Sequence, residues 1–261
     1  MITYKSLNKY TEIAHFCTTR EGGASVGNYA SFNLSPFSGD DPVSFKANKI
    51  KLGEHLRIDY KRIIIPHQIH GTEIREINDT FFQLDADERK QYLYGVDALF
   101  TQVPEICICV TTADCVPLLF YDPIKNVIAV AHAGWRGTCA HIAEKTLLTL
   151  IEKYNCQPAN IRVVIGPSIS AEVYNVGKDV LEKFEAQGFK ISEISMHRNN
   201  EYYLDLWRAN QQLLLETGVQ KEQIEIAGIC TYIEHERFFS ARRLGIQSGR
   251  MLSGIMLKNG K

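Results

Sequence analysis

Short runs of apolar and β-branched residues punctuate the chain at 13–18, 62–65, 98–101, 106–112, 116–121, 127–132, 161–165, 224–229, 238–241 and 251–257. Runs of this length and composition predict strands, several of them apolar on both faces and therefore buried. Between them, apolar positions recur with helical spacing over 43–56, 139–154, 178–187 and 204–217. Gly188 and Gly218 follow two of these stretches, where a helix commonly ends on a left-handed residue. Strands come in a group between 106 and 132 as well as alternating with helices. The pattern therefore predicts an α/β (α+β) protein, with mixed β-sheets layered centrally and helices packed outside, rather than one purely parallel doubly wound sheet.

No repeat, low-complexity tract or linker divides the 261 residues, and 45% hydrophobic content is enough for a sizeable core, so residues 1–261 are expected to form a single domain. The balance of 29 basic and 30 acidic residues leaves a net charge of −1, with no field to gather nucleic acid or an anionic membrane. A small, locally recognised partner is the expectation; oligomeric state is left open. Seven scattered cysteines, an odd count without scaffold spacing, point to a reducing, cytoplasmic setting. The first residues carry no basic segment followed by an apolar run, and no stretch reaches the roughly 18 apolar residues that span a bilayer, so the expected protein is soluble and unprocessed.

Three residues carry candidate chemistry: His70 in Pro66-His67-Gln68-Ile69-His70-Gly71, Cys115 in Thr112-Ala113-Asp114-Cys115-Val116-Pro117, and His132 in Ala131-His132-Ala133-Gly134-Trp135. Each ends or interrupts a predicted strand, where a sheet aims side chains from distant positions at a common point. Two imidazoles and a thiolate form a borderline-soft set suited to one zinc, and three protein ligands leave a fourth position open, the catalytic arrangement. From spacing alone packing is the commoner role for such residues, because no compact pair such as Cys-x-x-Cys occurs. Gln68 and Asp114 stand beside two of the ligands, placed to orient an imidazole or water. His67 is a candidate for support or substrate binding. Cys107 and Cys109 share one face of a strand and read as small buried hydrophobes, as do Cys17, Cys139, Cys156 and Cys230.

Past His132 the chain runs Gly134-Trp135-Arg136-Gly137-Thr138 into an amphipathic helix, so free backbone N–H groups and a guanidinium favour an anion there. A tight strand-to-helix turn explains the same residues equally well, and the spacing of a nucleotide P-loop is absent. A second glycine-rich loop at 18–25, containing Arg20, precedes Asn33 and is placed to cover a pocket, and Arg242 and Arg243 follow the predicted strand 238–241.

Together these segments closely resemble the widespread bacterial family once described as multicopper polyphenol oxidase or laccase-domain proteins, whose members are now described as purine nucleoside phosphorylases or peptidoglycan editing factors. The matching motifs run in order along nearly the whole chain: Thr19-Arg20-Glu21-Gly22-Gly23, Asn33-Leu34, the His67 and His70 segment, Asp97-Ala98-Leu99-Phe100-Thr101, the Cys115 and His132 segments, Ile165-Gly166-Pro167 and the closing arginines. The resemblance implies that His70, Cys115 and His132 ligate one zinc, inside central β layers flanked by helices. It implies phosphorolysis of adenosine, inosine, guanosine or methylthioadenosine, with deamination of adenosine as a further activity. Nucleoside and phosphate are then the partners, and Arg20, Asn33, His67, Gln68, Asp114, Arg136 and Arg242 the expected substrate-facing residues. The family's editing members offer an alternative, an amidase acting on a muramyl-nucleotide precursor.

A copper laccase needs many histidines, commonly paired as His-x-His, and the eight histidines here form no such pair. The His-x-Glu and Pro-Cys-x-x-Cys signature of cytidine-type deaminases is missing too. Two rivals remain: a metal-free enzyme with Cys115 as nucleophile and His132 as base, and a binding protein that kept the fold without the chemistry.

Overall fold

The computed structural model describes residues 1–259, which fold around two packed β-sheets. In chain order the elements are β1 (Ile13–Cys17), α1 (Pro42–Leu56), β2 (Ile63–Ile64), β3 (Glu73–Glu76), α2 (Ala86–Tyr92), β4 (Val96–Thr101), β5 (Cys107–Thr112), β6 (Val116–Asp122), β7 (Val127–Ala133), α3 (Trp135–Cys139) and α4 (Ile142–Tyr154). They continue with β8 (Arg162–Ile165), β9 (Asn175–Val176), α5 (Lys178–Ala186), α6 (Ile191–Ile194), β10 (Ser195–Arg198), β11 (Glu201–Leu204), α7 (Leu206–Glu216), β12 (Ile224–Ile226), α8 (Ala241–Leu244) and β13 (Met251–Leu257). One of these has the order β1-β13-β5-β2, the other β12-β8-β6-β7-β4-β3, and both mix parallel and antiparallel pairs; a third, small antiparallel sheet has the order β10-β11-β9. Among the described residues no helix is long and apolar enough to cross a membrane.

Alternation along the strands sorts the core into layers, since successive side chains leave a strand on opposite faces. On β7, Val127, Ala129 and Ala131 face outward against Leu147 and Leu150 of α4 and Leu213 of α7. Ile128 and Val130 face inward and, with Leu119 of β6, meet Ile108 and Val110 of β5 and Ile255 of β13 between the sheets. On the far side, Cys107, Cys109 and Leu252 pack under Leu52 of α1. The result is a helix, sheet, sheet, helix sandwich, the layering the pattern predicts. Each fully buried Leu or Ile contributes roughly 1.5–3 kcal/mol to holding it together. Helix α1 begins where Asp41 accepts hydrogen bonds from the Val43 and Ser44 N–H groups, with Pro42 in the first turn.

Local differences from the expected elements have physical causes. The apolar segment 238–241 is no strand: Phe238 and Phe239 plug the space between the sheets from a loop, and Ala241 opens the short α8. The helix expected over 139–154 is broken at His141, which takes a left-handed φ of 64° and divides α3 from α4. Strand β12 ends at Ile226, not at 229. Strand β3 reads Glu-Ile-Arg-Glu and lies half-exposed at a sheet edge, so no apolar run announces it. The hairpin β10–β11 turns through Asn199 and Asn200, both with positive φ, and carries mainly exposed polar residues.

Candidate metal centre

The topology creates a meeting point at one end of the sandwich. The chain crosses from the smaller sheet to the larger twice, between β2 and β3 and between β5 and β6. His70 lies on the first crossing, Cys115 on the second, and His132 near the end of β7, directly opposite Pro117 of β6. Their donor atoms all lie within 4.8 Å of one another, close enough to share one ion. The rings of His70 and His132 meet edge to face, 4.8 Å between centroids. Among the described residues no other cluster of three or more His, Cys, Asp or Glu donors converges in this way.

Each crossing is fixed by an unusual turn. His70 has φ 64°, a left-handed conformation, and its loop is gripped by the Asp97 carboxylate. That carboxylate accepts hydrogen bonds from the N–H groups of Ile69 (3.2 Å), His70 (3.1 Å) and Gly71 (2.7 Å). Asp97 also pairs with Nδ1 of His132 at 2.8 Å, leaving Nε2 of that ring for an ion. One buried carboxylate therefore positions two of the three donors. At the second crossing Asp114 takes φ 86°, a left-handed conformation held by long-range bonds to its carboxylate. Its carboxylate receives Thr231 Oγ1, Ser240 Oγ and the Arg242 N–H at 2.8, 3.0 and 2.7 Å. Gln68 binds the crossings to each other: its amide donates to the Thr111 carbonyl and accepts from the Thr111 N–H, at 2.9 and 2.8 Å. A Cβ on Gly134 would sit 3.0 Å from both Cys115 Sγ and His70 Cδ2, so this position leaves the room the donors need.

Electrostatics match the donor set. All seven cysteines are free, and Cys115 alone among them is partly exposed rather than buried. Burial pushes its thiol up, but the charge and hydrogen bonds of His132, joined by His70, bring it down to about 6. For His132 burial works to lower the pKa, and Cys115 with Asp97 lifts it to about 9. Burial pushes the Asp97 carboxyl up as well, yet His132 and the backbone N–H groups hold it below the usual carboxylate range. The metal-free pair is thus a thiolate facing an imidazolium, and the thiolate is the form that binds a metal.

The family described as multi-copper polyphenol oxidoreductase laccase matches residues 14–258. This chain belongs to that laccase family. A Bacteroides thetaiotaomicron member named purine nucleoside phosphorylase is 46% identical over 98% of this chain and 96% of its own length. A prokaryotic protein named adenosine deaminase RL5 is 36% identical over 93% of both chains. The crystal structure of YlmD from Geobacillus stearothermophilus superimposes with a TM-score of 0.90 at 31% identity, covering 96% of this chain and 93% of that one.

In this laccase-family chain the expected substrate-facing residues divide. His67 and Gln68 line a cavity of about 310 Å³ that opens onto the three donors. Arg20 is engaged elsewhere, donating to the carbonyls of Ala30 and His235 and lying over Phe239. Arg136 is exposed, stacks on Trp135 and does not line this cavity; it faces a separate depression with Lys183. Arg242 reaches Asn175 and Tyr174 instead of the donors. Asn33 and Asp114 are buried and act through the loops they hold, Asn33 by accepting from the Arg250 N–H at 2.9 Å and donating to Asp40.

Two residues absent from the expected set complete the laccase-family site. Asp97 stands out only as part of a motif, and its role depends on β4 lying beside β7, which spacing does not reveal. Arg250, just before β13, lines the cavity. Its guanidinium bonds to carbonyls of Ile246, Ser248 and Gly249 and to the Ser248 hydroxyl and forms no ion pair among the described residues, although Asp114 and Cys115 act on it from farther off.

Proposed function

We propose that this protein is a zinc-dependent enzyme of purine nucleosides that cleaves the glycosidic bond with phosphate. The observation that carries the reading is the convergence of His70, Cys115 and His132 at the floor of an open cavity, with Asp97 fixing both histidines. Relatives named purine nucleoside phosphorylase over nearly the full chain support the substrate class. Two nitrogens and one sulfur suit zinc. The family's copper name finds little support in the donors, because multicopper oxygen reduction needs several coppers and three donors serve one ion.

Zinc held there supplies Lewis acidity toward an oxygen of the nucleophile or substrate. The protein's own residues do the rest. Arg250, which forms no ion pair, offers a positive charge to phosphate, and the apolar side chains of Phe37 and Ile246 flank the nucleoside in the cavity wall. Phosphorolysis breaks the bond between ribose C1′ and the purine nitrogen, forms a bond from C1′ to a phosphate oxygen, and moves the phosphate proton to the departing base. His67, whose ring lines the cavity, relays that proton. Water in place of phosphate, attacking C6 of the adenine ring and displacing its amino group as ammonia, gives deamination, the activity in the name of the 36% identical relative.

The order Asp97, His132, Cys115 is also that of a carboxylate, imidazole and thiol nucleophile, the metal-free rival. His70 argues for the metal. A nucleophilic pair has no use for a second imidazole, held on a left-handed turn by a buried carboxylate and aimed at the same sulfur. The test is metal analysis of the purified protein together with turnover of adenosine and inosine, each with and without phosphate. One zinc per chain with phosphate-dependent release of base supports the reading; stoichiometric zinc without turnover of either nucleoside removes the substrate class.

A further inference from the structure

Beside the metal cavity lies a second one, of about 500 Å³, that the proposed chemistry does not use. Its size falls in the range of small-molecule sites, roughly 300–1,000 Å³. Its floor is apolar: Ile63, Ile64 and Ile65, the segment containing β2, with Phe45 of α1, Phe81 and Leu93. Four cationic side chains line it, Lys49, Lys61, Arg89 and Lys90, and no carboxylate does. Lys90 is paired with Asp87, and Arg89 donates to the Phe82 carbonyl. The ammonium groups of Lys49 and Lys61 have no hydrogen-bond or ion-pair partner among the described residues, where lysine pairs form elsewhere. Asp59, the nearby acid, is turned to the Lys61 N–H as a cap. Burial depresses the Lys49 pKa, the mark of an ammonium held beside apolar surface.

Aromatic groups form the third wall. The His67 ring lies between Phe37 and Tyr94, at centroid distances of 4.3 and 4.9 Å. Phe37 and Tyr94 leave 52% and 65% of their surface exposed, so flat apolar faces stand open at the mouth. Phe37 and His67 are shared with the metal cavity and form the partition between the two. Apolar floor, stacking faces and two unpaired ammonium groups select one ligand chemistry by shape and charge.

We propose that this second cavity binds a planar aromatic anion, with the ring against Phe37, Tyr94 and the isoleucine floor and the phosphate or carboxylate at Lys49 and Lys61. The site shares Phe37 and His67 with the proposed nucleoside cavity, but its anion-binding lysines are its own. Two kinds of molecule share the chemistry, a nucleotide and a non-nucleotide aryl acid or phosphate.

Isothermal titration of the full chain with 1-naphthyl phosphate and with AMP tests the proposal, with 1-naphthol as the uncharged counterpart of the first. Variants Lys61→Gln and Lys49→Gln report on the second cavity and Arg250→Gln on the metal cavity. Lys61 is exposed, so its replacement keeps the test valid even where Lys49→Gln perturbs folding. The expected result is one equivalent of bound anion, weakened about tenfold or more by each lysine change, little altered by Arg250→Gln, and, for 1-naphthyl phosphate, at least about tenfold tighter than 1-naphthol. AMP binding with that lysine dependence identifies a nucleotide; 1-naphthyl phosphate alone identifies an aryl acid. Binding indifferent to both lysines, binding lost only in Arg250→Gln, equal affinity for 1-naphthyl phosphate and 1-naphthol, or no binding of either anion overturns the proposal. None of these readouts depends on turnover or zinc, so they fail or succeed independently of the proposed function.

Discussion

Replacing Asp97 with Asn keeps the side chain's shape and removes one acceptor, which makes the role of this carboxylate measurable. One oxygen of Asp97 serves the His70 N–H and His132 Nδ1, the other the N–H groups of Ile69 and Gly71. An amide NH2 in the second place confronts two backbone donors; in the first it confronts only one, so the first orientation is the cheaper. There the NH2 donates to His132 Nδ1, which reverses the tautomer and leaves a proton on Nε2, the nitrogen needed for an ion. The expected cost is roughly 10- to 100-fold in zinc affinity. One unsatisfied N–H and the weakening of the remaining bonds to a neutral acceptor take about 2–4 kcal/mol from stability. Competition with a chromophoric chelator gives the affinity, urea unfolding the stability, and nitrogen-15 NMR of the histidines the tautomer. Zinc affinity within about twofold of the unaltered protein, with the His132 tautomer unchanged, would refute the reasoning.

Other consequences follow from the same geometry. Gly134→Ala places a methyl group 3.0 Å from Cys115 Sγ and His70 Cδ2, so zinc affinity falls while urea unfolding of the metal-free protein shifts little; equal affinity shows that the donors are not crowded there. Arg250→Gln raises the KM for phosphate in steady-state assays by about 10- to 100-fold and leaves the KM for nucleoside nearly unchanged, whereas an equal rise in both places the arginine elsewhere. His15, 7% exposed, has its pKa lowered by burial to about 4, so the unfolded chain binds more protons than the native one below the ordinary value of 6.5. Stability contributed by the neutral ring is therefore present above pH 6.5 and lost as pH falls toward 4, by roughly 2 kcal/mol at pH 5. His15→Gln should flatten that part of the profile in urea titrations at pH 7 and 5, and an unchanged slope assigns the acid sensitivity to other groups.

What the sequence makes legible here depends on how far a feature reaches along the chain. Strands β5, β6 and β7 are continuous apolar runs because both of their faces are covered, so periodicity finds them and even their ends closely. Edge strand β3 and hairpin β10–β11 expose one face to water and carry the charged and polar residues of any loop. Phe238 and Phe239 mislead for the opposite reason, being buried without belonging to a ladder. At the site, His70, Cys115 and His132 are visible as polar residues breaking apolar runs, and the resemblance to a family selects them. Asp97 is 35 positions from its partner His132, and only the pairing of β4 with β7 joins them. Arginine placement is the least legible of all: Arg20, Arg136, Arg242 and Arg250 look alike in sequence, and the fold alone decides which one faces the cavity with an unspent charge.

The central claim is that three donors hold one ion, and His70→Ala tests it most directly, because the metal-free rival retains both Cys115 and His132. Zinc per chain, measured by mass spectrometry on protein purified without chelator, is expected to be one equivalent in the unaltered protein and near zero in the variant, with nucleoside phosphorolysis lost in parallel. Full turnover by His70→Ala, insensitive to chelator and abolished by alkylation of Cys115, would contradict the account.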